Sequence, residues 1–275
     1  LRNNPESAGN VWAKLVFGKN EVDRTAQLTG FDQTYSGIQA GVDKKTAWES
    51  GNFYKGVFVG YTQGDQDYSD GSGDIKAKSV GAYGTYIGNN GFYVDGVLKF
   101  NWQHQTHNVL DTAGNPVDSK FDTTGAMVSL EVGRRIHFDK KTKQGFYIEP
   151  QAQIYWGSQS GDNYTASNGL NVDMDGYHYL LGRVGLLAGY ELKGGKNPIN
   201  VYAKASYNHE FQGDYGLNMN GAIINGDLGD SWWTYGVGIT AQISNKHNFY
   251  ADIERASGGD FTQNWKVNAG YRFQW

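Results

Sequence analysis

A few short constellations contain residue types that could do chemistry. Ser167-Asn168-Gly169 offers a hydroxyl. A serine nucleophile needs a base within hydrogen-bond reach, and the residues before it are Thr165 and Ala166. Within YTASNGL the triplet reads as turn chemistry. His104 and His107 have the H-x-x-H spacing of a metal pair, at a strand edge without an evident third ligand. Asn208-His209-Glu210-Phe211 has one histidine where a zinc-protease motif needs two. No glycine-rich loop leads from a strand into a helix, so nucleotide binding has no support. What remains is a dispersed set of mixed sign: Glu131, Arg135, Glu149, Gln151, Gln153, Arg183, Lys204, Asp252, Glu254 and Arg272. These do not converge on a reaction. The elements that carry them decide what they line.

Composition narrows those elements. The 275 residues are 39% hydrophobic and 15% aromatic, with 39 glycines against 4 prolines. Mean hydropathy is −0.60, and no run approaches the ~20 apolar residues of a membrane helix. The best candidate, YLLGRVGLLAGY (179–190), carries Arg183 in its middle. This mixture suits short alternating strands, with glycine at close approaches and aromatics at interfaces. The net charge of −4 provides no basic stripe for nucleic acid. With no cysteine, disulfide staples and cysteine zinc sites are excluded. Leu1-Arg2-Asn3-Asn4-Pro5 has no apolar leader core, which leaves a cytoplasmic protein or a piece of a longer chain.

Period-two alternation recurs from end to end. Val11, Ala13, Leu15 and Phe17 share one face; so do Val57, Val59 and Tyr61, and so do Phe92, Val94, Leu98, Phe100 and Trp102. GFYIEPQAQIYW sets Phe146, Ile148, Pro150, Ala152, Ile154 and Trp156 against Glu149, Gln151 and Gln153. Twelve such segments are found, an even number. Aromatics bracket the aliphatic faces, as Phe92 and Trp102 do, in the manner of the girdles at lipid headgroups. The opposite faces are small or polar, as in a water-filled or plugged lumen. The pattern predicts apolar outward and polar inward.

The connections alternate. Residues 20–30, 64–74, 104–119, 158–168 and 212–229 read as long loops, and 44–51, 89–90, 139–144, 194–197 and 245–246 as tight turns. Long loops on one side and short turns on the other mark a bacterial transmembrane barrel, extracellular and periplasmic respectively. The chain closes on NAGYRFQW, in which Ala269, Tyr271, Phe273 and Trp275 alternate with Asn268, Gly270, Arg272 and Gln274. Asn268, Gly270, Phe273 and Trp275 resemble the C-terminal signal by which the barrel-assembly machinery recognises outer-membrane proteins.

LRNNPESAGNVWAKL at the start resembles the junction that opens the translocator domain of autotransporters (type V secretion). The resemblance lies in a Leu-Arg, an Asn-Pro turn, a glycine, and a strand with Trp12 and then Lys14. GFYIEPQAQIYWG resembles that family's mid-barrel Glu-Pro-Gln-x-Gln strand, and GYHYLLGRVGLLAGYEL its next strand. The resemblance implies an all-β, twelve-stranded antiparallel barrel over residues 10–275, with residues 1–9 the remnant of a truncated pore helix. It also implies an integral outer-membrane translocator, monomeric, without cofactor or catalytic activity. Its partners would be its own N-terminal passenger and linker helix, outer-membrane lipid and the assembly machinery. The mixed-sign set would line the lumen, either holding the helix or forming salt bridges that stiffen the wall. Glu149 and Arg183, inside the family-like motifs, are the first candidates for contact with the helix. Some members cut themselves at an Asn inside the pore; Asn3-Asn4 lies too close to the barrel to be that site. The alternatives are a porin-like or adhesin barrel and, more remotely, an outer-membrane phospholipase, which lacks its histidine here before Ser167.

Overall fold

The alternating segments become strands that pair in sequence order until the last meets the first. The computed structural model describes residues 8–22, 30–139, 144–192, 197–227, 231–258 and 261–275. The barrel strands are β1 (Gly9–Val22), β2 (Phe31–Trp48), β3 (Gly51–Tyr68), β4 (Gly71–Gly88), β5 (Phe92–Leu110), β6 (Pro116–Arg134, continued by Ile136–His137), β7 (Gly145–Gln159), β8 (Tyr177–Leu192), β9 (Ile199–Gln212), β10 (Ser231–Gln242), β11 (His247–Gly258) and β12 (Phe261–Gln274). Every neighbouring pair is antiparallel, and β12 pairs with β1 from Asn10↔Gln274 to Val22↔Phe261. Closure leaves the barrel wall no free edge strand, the condition for strands in lipid.

The faces sort as the alternation requires. Val59 is 60% exposed, Trp156 54% and Val184 58%, whereas Asn10, Asp43 and Glu149 are buried. Apolar outward and polar inward is the inverse of a soluble protein, and here the solvent of the outer face is lipid. Several glycines on the inner face lie under a ring from the directly paired residue: Gly41 under Trp12, Gly81 under Phe58, Gly56 under Tyr83, Gly189 under Tyr147, Gly238 under Tyr202 and Gly270 under Tyr250. Flat rings over bare backbone keep bulky side chains out of the bore.

The chain ends meet at one rim. Ala8 and Gly9 donate backbone hydrogen bonds to the Trp275 carbonyl (2.6 and 3.3 Å), and Trp275 N donates to Gly9 O (3.1 Å). We call this the terminal rim. Its turns include residues 49–50, 89–91 and 243–246.

The opposite rim departs from the sequence reading. Residues 64–74 and 104–119 are not loops: β3 and β4 run on to a two-residue turn at 69–70, and β5 and β6 to a link at 111–115. Outside the membrane both strand faces meet water, so DQDYSDGSGD loses its apolar signature while its backbone ladder continues, from Gln66↔Gly73 to Tyr68↔Gly71. β11 runs to Gly258 and β12 begins at Phe261. The two longest connections contain hairpins that join in a four-stranded sheet, Ala222–Asp227, Asp214–Met219, Asn171–Met174 and Asp162–Thr165 in spatial order. This hairpin rim is therefore built largely of β-structure.

Candidate functional site: the charged lumen

The inner face of the barrel surrounds a cavity of about 830 Å³ toward the terminal rim. Its walls include Lys14, Asp95, Lys99, Glu131, Arg135, Glu149, Gln151, Gln153 and Arg272.

Local sequence sets the first cluster. Pairing between β6 and β7 lapses at Arg134 and Arg135 and resumes at Ile136↔Ile148 in unchanged register. The lapse lies opposite Glu149-Pro150, where proline has no N–H to give the ladder. Arg135 turns its guanidinium over the Tyr147 ring (4.1 Å to the centroid). It donates from Nε to Glu149 Oε2 (2.7 Å) and from a terminal nitrogen to Glu191 Oε1 (3.4 Å). His137 Nε2 lies 3.3 Å from the same Glu191 oxygen. Gln151 donates to Glu149 (3.1 Å), and Tyr147 Oη donates to Asn200 (2.9 Å).

A second pair stands higher in the lumen. Arg183 donates to Glu131 Oε2 at 2.6 Å, and Tyr93 Oη donates to the other Glu131 oxygen. Glu131 is the direct cross-strand partner of Asp95, whose carboxylate accepts from Thr85. The third cluster joins β9, β11 and β12. Lys204 donates to Glu254 (2.5 Å) and lies 3.5 Å from Asp252, Lys266 lies 3.5 Å from Glu254, and Asn268 donates to Asp252 (2.8 Å). Buried charges paired and hydrogen-bonded in this way avoid the penalty of stranding one in a confined site.

The candidate residues thus divide. Glu131, Arg135, Glu149, Arg183, Lys204, Asp252 and Glu254 are engaged in wall ion pairs. Gln153 presents a buried carbonyl oxygen with no hydrogen-bond partner. Arg272 faces the cavity without an ion pair among the described residues. Glu191, His137 and Lys266 complete the clusters without a signal in their local sequence. Neither do Lys14 and Lys99 form ion pairs among the described residues; both line the cavity. Asp43 accepts from Asn10 (2.5 Å) and Tyr83 (2.7 Å), and Trp12 Nε1 donates to Tyr83 (2.7 Å).

Of the closing set, Asn268 and Gly270 face inward, Asn268 on Asp252 and Gly270 beneath Tyr250. Phe273 and Trp275 face outward, Trp275 half-exposed. Residues 1–7, including Asn3 and Asn4, lie outside the described residues.

The other constellations disperse. His104 points outward to Asp122 (2.8 Å), whereas His107 points inward and stacks on Phe121 (5.4 Å), so they cannot share a metal. Ser167 Oγ accepts from Asp118 N (2.8 Å) in the turn of a rim hairpin. Among the described residues no group of three or more His, Asp or Glu could hold a metal.

The autotransporter β-domain family model matches residues 11–254. The chain belongs to this family. A curated relative from Escherichia coli K12, named "Probable autotransporter YcgV", is 37% identical over 273 residues, covering 99% of this chain and 28% of its own length. The pertactin autotransporter of Bordetella parapertussis is 36% identical, covering 100% of this chain and 29% of its own length. The crystal structure of the β-domain of the Bordetella autotransporter BrkA superposes with a TM-score of 0.83 at 33% identity, covering 98% of this chain and 100% of that one. The chain spans just over a quarter of the curated relatives' length. It is a translocator barrel of the outer membrane, all-β and twelve-stranded.

Proposed function

We propose that this barrel carries the C-terminal end of its own N-terminal passenger through the lumen and then holds the linker as a resident plug helix, with residues 1–9 the last part of that linker. The carrying observation is the bore itself: a cavity of about 830 Å³ walled by both signs of charge and by amides. Such a lining hydrates a passing chain without trapping segments of either sign. Arg272, Lys14, Lys99 and the unpartnered Gln153 oxygen are the groups left over for the helix. Glu149 and Arg183 act on it through the wall they stiffen. In this reading the barrel does no chemistry of its own. The terminal rim faces the periplasm and the hairpin rim the exterior. Asn268, Gly270, Phe273 and Trp275 present the assembly signal, and a monomer surrounded by lipid is the working unit.

The test is single-channel conductance of the folded chain in a planar bilayer, with and without its upstream helix. Discrete pores that the helix largely closes support the plug. Pores indifferent to it point instead to a porin-like barrel.

A further inference from the structure

The outer wall carries a charge pair that the transport reading leaves unused. Lys44 on β2 and Lys55 on β3 are direct cross-strand partners. Both are exposed on the outward face, between Val42 and Val57 on one side and Thr46 and Phe53 on the other. Like charges directly opposite each other repel, and a lysine on a lipid-facing wall costs more the deeper it lies. Neither has a carboxylate partner among the described residues. Their remaining outward neighbours in the same row are Gly9 and Gly84.

Three further observations say what neutralises them. Gly84, beside Lys55, lies against the Phe53 ring (a Cβ there would meet it at 3.2 Å), whereas a Cβ at its row neighbour Gly96 would meet nothing closer than 3.9 Å, so the wall is bare backbone at Gly96. Trp48 stacks on Phe53 (5.4 Å) and approaches Tyr86 (5.7 Å) just below, toward the turn. Gly9, the row neighbour of Lys44, is hydrogen-bonded to Trp275. Aromatics of this kind mark headgroup depth. The two ammonium groups thus stand at the level of lipid phosphates, with a shallow dent at Gly96, edged by the Phe53 ring, able to take an acyl chain.

We propose that Lys44 and Lys55 bind the phosphate headgroup of an anionic glycerophospholipid, with an acyl chain over the Phe53 ring and against Gly96. Basic clusters at headgroup level recognise anionic lipids through charge, and the bound phosphate relieves the repulsion between the two lysines. The site rests on the terminal rim facing phospholipid, and not on what passes through the lumen.

Native mass spectrometry of the refolded barrel in neutral detergent, with phosphatidylglycerol or phosphatidylcholine added, tests it. Phosphatidylglycerol is retained preferentially. Each lysine contributes about fivefold, so K44Q with K55Q lowers the apparent affinity about twenty-fivefold. G96L, which leaves the charge unchanged, weakens retention by filling the dent. K78Q, an exposed lysine elsewhere on the outer face, does not. Faster gel migration before boiling than after certifies that each variant is folded. Equal retention of both lipids, or full retention by the double variant, overturns the site. Neither result depends on conductance, so this proposal and the plug fail separately.

Discussion

The two sides of the lumen solve the same problem differently. On the wall from β6 to β12, acidic and basic residues neutralise one another: Arg135 with Glu149 and Glu191, Arg183 with Glu131, and Lys204 and Lys266 with Asp252 and Glu254. On the wall from β1 to β5, Trp12, Tyr83, Asp43 and Asn10 form a hydrogen-bonded chain, and Lys14 and Lys99 have no ion pair among the described residues. One wall is balanced except at Arg272, which has no ion pair among the described residues. The other keeps charge in reserve for whatever occupies the bore. A pore that must be both rigid and hospitable can divide those duties around its circumference.

The largest effect expected from this contrast is at Glu149. Glu149→Leu strands Arg135 with its weaker partner Glu191, and breaking a buried pair costs about 3 kcal/mol or more. The urea midpoint of the folded barrel should fall accordingly. If it moves no further than that of Lys99→Gln, the two walls are not energetically distinct. Next comes the packing of a ring over its glycine. Gly81→Val places its branched Cβ 2.3 Å from the Phe58 ring and 2.6 Å from the Leu98 carbonyl oxygen. Overpacking of this kind costs about 1–3 kcal/mol, read as lowered thermal stability, with Ser79→Ala as the mild control. The smallest stability effect belongs to Lys14→Gln combined with Lys99→Gln, about 0.5 kcal/mol or less. The signature of that variant is electrical: in a salt gradient its reversal potential shifts toward cation preference. An unchanged selectivity would mean that the reserve charge is not felt in the bore.

Much of this architecture was legible in the residues. Val11 to Phe17 or Phe92 to Trp102 can alternate as they do only if one face meets lipid and the other water, and twelve such segments force closure. The hairpin rim was not legible, because DQDYSDGSGD and the residues beyond Trp102 are polar on both faces, and strands in water lack the apolar alternation of a lipid-facing wall. The lumen partners were hidden for a different reason. Arg135 and Glu149 are 14 residues apart, but Lys204 and Glu254 are 50 apart and Arg183 and Glu131 52. Which charge meets which depends on register across several strands, and alternation fixes the face of a residue without fixing its height. Lys14 belongs to the opening strand's motif, yet its lack of an ion pair among the described residues is set by neighbours on other strands.

Strands of 18 or 19 residues in β2 to β6 stand beside strands of 12 in β10 and β11. A spanning strand needs only about 9–11 residues, so the surplus on the long side rises clear of the bilayer as a curved parapet, while at β11 and β12 the wall stops almost at the waterline. Any polypeptide threaded through such a mouth would meet a high wall on one side and a low sill on the other, so the barrel's rim has a built-in direction even though its bore does not.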